Sequence, residues 1–167
     1  MLCTECGQET NLAIEDRPSL DFPELTIVNA HVYRCPDCGN EMDAVPALRE
    51  KTKVVVGLIL DKPGRLAAAE ISYLRKFMRW TGQEMANLLG VRVEAISRWE
   101  NGHSLMSTSA DKLLRLLVAP AVDIERSTMQ ARLPFVAVGK SEPLNGAIEF
   151  VDRNWTRISE DQQDKAA

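Results

Sequence analysis

The chain has 167 residues, 26% charged and 45% hydrophobic, with a formal net charge of −4. Such values exclude wholesale disorder, and the length suits one medium domain or two small ones. No apolar run approaches the ~20 residues of a membrane span, and the start MLCTECGQET lacks the basic-then-apolar pattern of a secretory leader, so the expected location is the cytoplasm.

Charge is spread unevenly along the chain: residues 1–61 carry net −6, residues 62–118 net +4 and residues 119–167 net −2. A basic middle third is what phosphate contacts require, while the acidic first third is free for another partner. These segments are the expected domains: a first module with a connecting segment (1–61), a second domain (62–118) and a C-terminal extension (119–167).

All four cysteines fall in the first 38 residues, as Cys3-x-x-Cys6 and Cys35-x-x-Cys38, and each pair is followed by a glycine, Gly7 or Gly39. A two-residue gap lets both thiolates of a pair point at one ion. Two such knuckles make a tetrahedral four-sulfur site suited to one structural zinc ion, with no open position for a catalytic water. Disulfides and redox chemistry are the competing readings; the expected compartment and the absence of a βαβ pattern disfavour them. His31 is read as an ordinary strand or loop histidine.

Leu25–Tyr33 (LTIVNAHVY) is rich in β-branched residues and is expected to be a strand leading into the second knuckle, after turns at Arg17-Pro18-Ser19 and Phe22-Pro23. Val45–Leu60 has helical apolar spacing, although its VVVGLIL run also suits a strand. Asp61-Lys62-Pro63-Gly64 breaks the chain.

Beyond that break the period is helical. Ile71, Leu74, Phe77 and Met78 share one face, and Thr81 or Gly82 can cap the next helix. The segment Gln83–Gly102 (QEMANLLGVRVEAISRWENG) reads as helix, tight turn, helix. Met85, Ala86 and Leu89 form the first helix's inner face, Gly90 occupies the turn, and Ile96 with Trp99 anchors a second helix over about Val93–Glu100. Arg92, Glu94, Ala95, Ser97 and Arg98 are left to face outward or sideways.

In such a motif the second helix enters the major groove with its N-terminal half on base edges. Arg98 is the strongest candidate for a base contact, since a guanidinium can donate twice to guanine O6 and N7. Glu94 can accept from cytosine N4, Arg92 can reach bases or phosphate, and Gln83 is placed for a phosphate. Glu100 is expected in a structural ion pair or cap. His103 is read as a cap or phosphate contact, and no nucleophile–base arrangement or nucleotide-binding loop marks an enzyme.

The residues Gln83, Ala86, Gly90, Val91, Ile96, Ser97, Trp99, Glu100 and Gly102 resemble the Cro/repressor (Xre-type) helix-turn-helix family, and Ser109–Val118 is similar to that family's closing helices. The order of a four-cysteine module followed by this motif resembles the MqsA (YgiT-type) antitoxins over about residues 1–118. That resemblance implies a zinc module that grips a toxin protein, a homodimer, and repression of its own promoter at a palindromic double-stranded DNA operator. By the same analogy Arg98 matches a base-reading arginine, while Glu94 replaces an asparagine. The alternative is a stand-alone regulator whose zinc module stabilises the fold or senses metal or redox state.

The expected fold is therefore α+β: a small β-rich, zinc-ribbon-like module, then an all-α five-helix Xre-type domain. The extension departs from the antitoxin pattern. It carries strand-like pieces at Leu133–Val138 and Ala147–Val151, an apolar anchor at Trp155 and a frayed end at Asp161–Ala167.

Overall fold

The computed structural model describes residues 1–136 and 139–158. The chain forms two compact units: Met1–Val54 together with the residues from Asn145 onward, and Val55–Leu144. The fold is α+β, as the sequence predicts, with a β-rich cysteine region followed by helices. The segment after residue 118 does not stand alone. Residues 119–144 belong to the helical unit, and the strands after them belong to the sheet.

The sheet unit contains β1 (Asn11–Pro18), β2 (Leu25–Arg34), β3 (Glu41–Ala44), β4 (Gly146–Val151) and β5 (Asn154–Ile158). Its path runs β1-β2-β4-β5, and β3 pairs with β2. β2 is the expected strand. Antiparallel β1 lies along its whole length, from Asn11 opposite Arg34 to Pro18 opposite Thr26. One irregularity falls between Glu15 and Arg17, where Asn29 takes a positive φ of 53° and its N–H is held by Asp16 Oδ1 at 2.9 Å. On β2's other edge, β3 pairs antiparallel over His31–Arg34, while β4 pairs in parallel over Leu25–Val28.

One face of this sheet carries a lattice of charges. Arg34 donates to Glu15 at 2.7 Å and to Glu41 at 2.7 Å, and Arg17 pairs with Glu15 at 2.8 Å and with Glu41. Alternating with these residues, Leu12 and Ile14 on β1 lie 50% and 59% exposed on the opposite face. Trp155 on β5 is buried, and its indole N–H donates to Pro46 O at 2.7 Å, so the expected anchor is present.

α1 (Leu48–Asp61) resolves the ambiguity of the VVVGLIL run in favour of a helix. The helical unit then contains α2 (Ala68–Phe77), α3 (Gly82–Leu89), α4 (Val93–Glu100), α5 (Thr108–Val118) and α6 (Arg126–Arg132), with a 3-10 turn at Ala119–Val122. Its core includes Val56, Ile59, Leu74, Met85, Ile96, Leu114 and Met129.

Two buried ion pairs organise the break after α1. Arg115, wholly buried, donates to Asp111 at 2.7 Å and to the carbonyls of Ile59, Leu60, Lys62 and Gly64 at 2.7–3.1 Å. It thereby satisfies acceptors that the end of a helix leaves open. Asp111 in turn accepts the Leu66 N–H at 2.8 Å. Lys62 places its ammonium 2.7 Å from both oxygens of Glu70 and 2.6 Å from Glu142 O. The Asp61–Gly64 break is thus clamped.

Of the strand expected at Leu133–Val138, the described residues Leu133–Val136 form a turn and a bend instead. Leu133 N–H still bonds back to Met129 O at 3.1 Å, so the chain leaves α6 through a turn around Pro134, which has no N–H to give a sheet. Residues 137 and 138 lie outside the described residues, as does the end at Asp161–Ala167. The piece expected at Ala147–Val151 is β4.

Candidate metal centre and nucleic-acid interface

The two cysteine knuckles have one local geometry. Cys3 N–H donates to Gln8 O at 2.8 Å and Gly7 N–H returns to Cys3 O at 3.0 Å; Cys35 N–H donates to Asn40 O at 2.9 Å and Gly39 N–H returns to Cys35 O at 3.1 Å. Gly7 and Gly39 sit at φ of 76° and 73°, which a side chain would strain. The sheet brings the knuckles together across the sequence. Cys3 Sγ lies 3.6 Å from Cys38 Sγ, and Cys6 Sγ lies 3.4 Å from Cys35 Sγ. All four sulfurs fall within 4.8 Å of one another. These separations are far beyond a disulfide bond of about 2.05 Å. They resemble the ~3.8 Å edges of a tetrahedron with metal–sulfur bonds of about 2.3 Å. His31, exposed on β2, stands outside the cluster.

The thiols do not titrate alike. Cys3 is lowered to about 6, chiefly by the backbone N–H groups of Cys6 and Glu5. The Gln8 N–H acts to lower Cys6, but the neighbouring thiols of Cys35, Cys38 and Cys3 push it up to about 12. Cys38 is raised as well: the Asn40 N–H pulls it down, and Cys35 and Cys3 outweigh it. Four thiolates at this spacing repel one another, and a divalent cation among them removes the conflict. The donor set therefore fits one soft, tetrahedral metal ion.

In the helical unit, Thr81 caps α3. Its hydroxyl accepts the Glu84 N–H at 3.2 Å, and the Glu84 carboxylate accepts the Thr81 N–H at 2.7 Å. That backbone N–H also holds the Glu84 carboxyl below the usual range. α3 ends at Gly90, left-handed with φ of 67°, and Val91 N–H reaches back to Ala86 O at 3.0 Å. This turn sets the direction of α4. Ile96 and Trp99 are buried, whereas Arg92, Glu94, Ser97 and Arg98 are exposed together.

Gln83 is also exposed, at the start of α3, and its amide donates to Asn87 Oδ1 at 2.9 Å. Asn87 was not singled out in the sequence, although its four-residue spacing from Gln83 marks a helical neighbour. Asn101, at the end of α4, donates to Ser97 O at 2.7 Å. Glu100 forms its expected ion pair, with Arg75, and faces inward. His103 is exposed, and its N–H closes the helix end on Arg98 O at 2.9 Å.

Among the described residues no helix is long and apolar enough to cross a membrane. No curated protein and no solved structure is significantly similar to the chain. Residues 71–126, about a third of the chain, match the family model described as helix-turn-helix. Placed on α2–α5, that match makes the middle of this chain a helix-turn-helix DNA-binding domain of the Xre type, as used by transcription regulators.

Proposed function

We propose that the protein is a sequence-specific DNA-binding repressor and the antitoxin of a type II toxin–antitoxin system. In this reading it neutralises a toxin protein, binds a palindromic operator as a homodimer and represses its own operon. The observation that carries DNA reading is the outward face of α4, where Arg92, Glu94, Ser97 and Arg98 are exposed while Ile96 and Trp99 fix the helix from behind.

Laid in the major groove, α4 presents Arg98 to guanine O6 and N7 and Glu94 to the amino group of cytosine. Ser97 contacts an adjacent base edge. Arg92, at the N-cap and making no capping bond, meets a base or phosphate, and Gln83 meets a phosphate. Cys3, Cys6, Cys35 and Cys38 hold one structural zinc ion that fastens the two knuckles. Toxin binding rests on the resemblance to the MqsA order of modules. The exposed Leu12 and Ile14, in a net-acidic segment, support it as a surface for a basic protein partner.

The test is a pull-down of the tagged full chain from its native extract, paired with footprinting on the DNA upstream of its own gene. A stoichiometric protein encoded next door, together with a symmetric footprint, supports the antitoxin reading. A footprint with no such protein leaves a stand-alone regulator and refutes the antitoxin role. No footprint refutes autoregulation.

A further inference from the structure

The two cysteine knuckles are alike in their backbones and differ in one side chain. Gln8 and Asn40 hold equivalent places. Each accepts on its carbonyl the N–H of the first cysteine of its pair, Cys3 or Cys35. Each also turns its backbone N–H to the second cysteine, Cys6 or Cys38. Gln8 is exposed. The Asn40 side chain instead crosses to the other knuckle, where its amide donates to Cys3 Sγ at 3.7 Å and to Thr4 Oγ1 at 3.4 Å. Thr4 in turn donates to Met42 Sδ, on β3, at 3.5 Å. Asn40 therefore touches both halves of the four-sulfur cluster, Cys35 and Cys38 through its backbone and Cys3 through its side chain.

A thiolate that ligates a metal keeps lone pairs outside the coordination bond, and an N–H aimed at one of them makes a charge-assisted hydrogen bond. Such a bond draws electron density from the sulfur and fixes its direction. Cys3 is 4% exposed, so water has little access to replace a donor lost there. The backbone N–H groups of Cys6 and Glu5 also face its sulfur, but they belong to the same knuckle as Cys3. The Asn40 amide comes from the other knuckle, so its bond opposes separation of the two pairs.

We propose that Asn40 is a positioning residue of the metal centre, whose side-chain amide holds the Cys3 thiolate in register with the second knuckle and opposes loss of the ion. The inference rests on the reading of the four cysteines as a metal site and adds a latch between its halves. Groups that orient a metal ligand in this way are worth about 10- to 100-fold in metal affinity. Thr4 steadies the latch by accepting the second amide hydrogen.

The test loads the full chain with cobalt(II), whose absorption reports a tetrahedral sulfur site, and separately measures zinc affinity by competition with a chromophoric chelator. Asn40→Asp keeps the backbone and the side-chain shape but replaces the donor by an acceptor. Its sulfur-to-cobalt charge-transfer band should move to longer wavelength, because a thiolate relieved of its hydrogen bond gives up an electron more readily. Zinc affinity should fall about 10- to 100-fold. Thr4→Val leaves the amide in place and removes its second anchor, so band and affinity should move the same way by less. An unmoved band in Asn40→Asp, with or without a loss of affinity, overturns the positioning role and leaves the metal site standing. Should Asn40→Asp give no tetrahedral cobalt spectrum, Thr4→Val decides, and an unmoved band there overturns the proposal. No tetrahedral cobalt spectrum in the unaltered chain overturns the metal reading and the inference with it.

Discussion

Arg75 on α2 and Glu100 at the end of α4 form a bidentate pair, with Nε to Oε1 at 2.7 Å and Nη2 to Oε2 at 3.1 Å. A third donor of the same guanidinium holds Trp80 O at 3.0 Å. One arginine thus ties the far end of the outward-facing helix to the turn that precedes α3. Both side chains are mostly buried, at 20% and 15% exposure. Replacing Arg75 by Met leaves the Glu100 carboxylate unpaired in a partly dry place. Thermal unfolding of the helical unit should lose about 1–3 kcal/mol, between the ranges for surface and fully buried pairs. A change below about 0.5 kcal/mol would mean that water already satisfies Glu100.

Arg98→Ala removes no buried contact, so the melting temperature should stay within experimental error. Operator affinity should fall by about 1–3 kcal/mol, or roughly 5- to 150-fold, and discrimination should relax at one base pair of each half-site. Fluorescence anisotropy across single-base operator variants reads both effects. A uniform loss over all sequences would instead assign Arg98 to a phosphate.

Cys35→Ser removes one of four sulfurs. Bound zinc, measured by elemental analysis of the purified protein, should fall from about one ion per chain to well below it, because structural zinc sites use four ligands. The sheet unit should lose its cooperative unfolding step. Operator binding should persist, since the helical unit has its own core. Loss of both together would show that the sheet unit is required for DNA binding.

The charge lattice on the sheet makes an acid-side prediction. Arg17 and Arg34 hold the carboxyls of Glu15 and Glu41 below the ordinary glutamate value of 4.5. A carboxyl with a depressed pKa in the folded state contributes stability above its unfolded value, and that contribution disappears as pH falls through the folded value. The sheet unit should therefore weaken on acidification below about pH 4.5, and the double variant Glu15→Gln/Glu41→Gln should show a flatter profile there. Circular dichroism melts from pH 7 to pH 3 follow the difference. Identical slopes in both proteins would mean that the lattice is not a source of acid sensitivity.

What the sequence made legible was local. The two-residue cysteine gaps with their glycines, the β-branched run of β2, and the three-and-four spacing around Gly90 each act within a few residues. Glu100 was readable as structural because it shares a helix with the anchors Ile96 and Trp99. Long-range pairing was not readable. β1 carries an Arg-Pro that signals a turn, and the strand does end at Pro18, but nothing local says that it pairs along β2 from Arg34 to Thr26. Nothing near Leu25 announces a parallel partner more than a hundred residues later. Leu133–Val136 shows the opposite failure: its apolar composition suggests a strand, and the bond from Leu133 to Met129 makes it the turn that ends α6 instead.

The parallel pairing of β2 with β4 has a consequence for how the protein is made. Synthesis runs from the N-terminus, so residues 55–144 can complete their helical unit while the sheet still lacks β4 and β5. Until then the β2 backbone at Leu25–Val28 is an unprotected edge, open to a strand from another chain. A nascent or clipped product that stops near residue 144 would keep its helical unit and leave this β2 edge open. Among the described residues, β4 and β5 are thus the strands that arrive late to cover this edge.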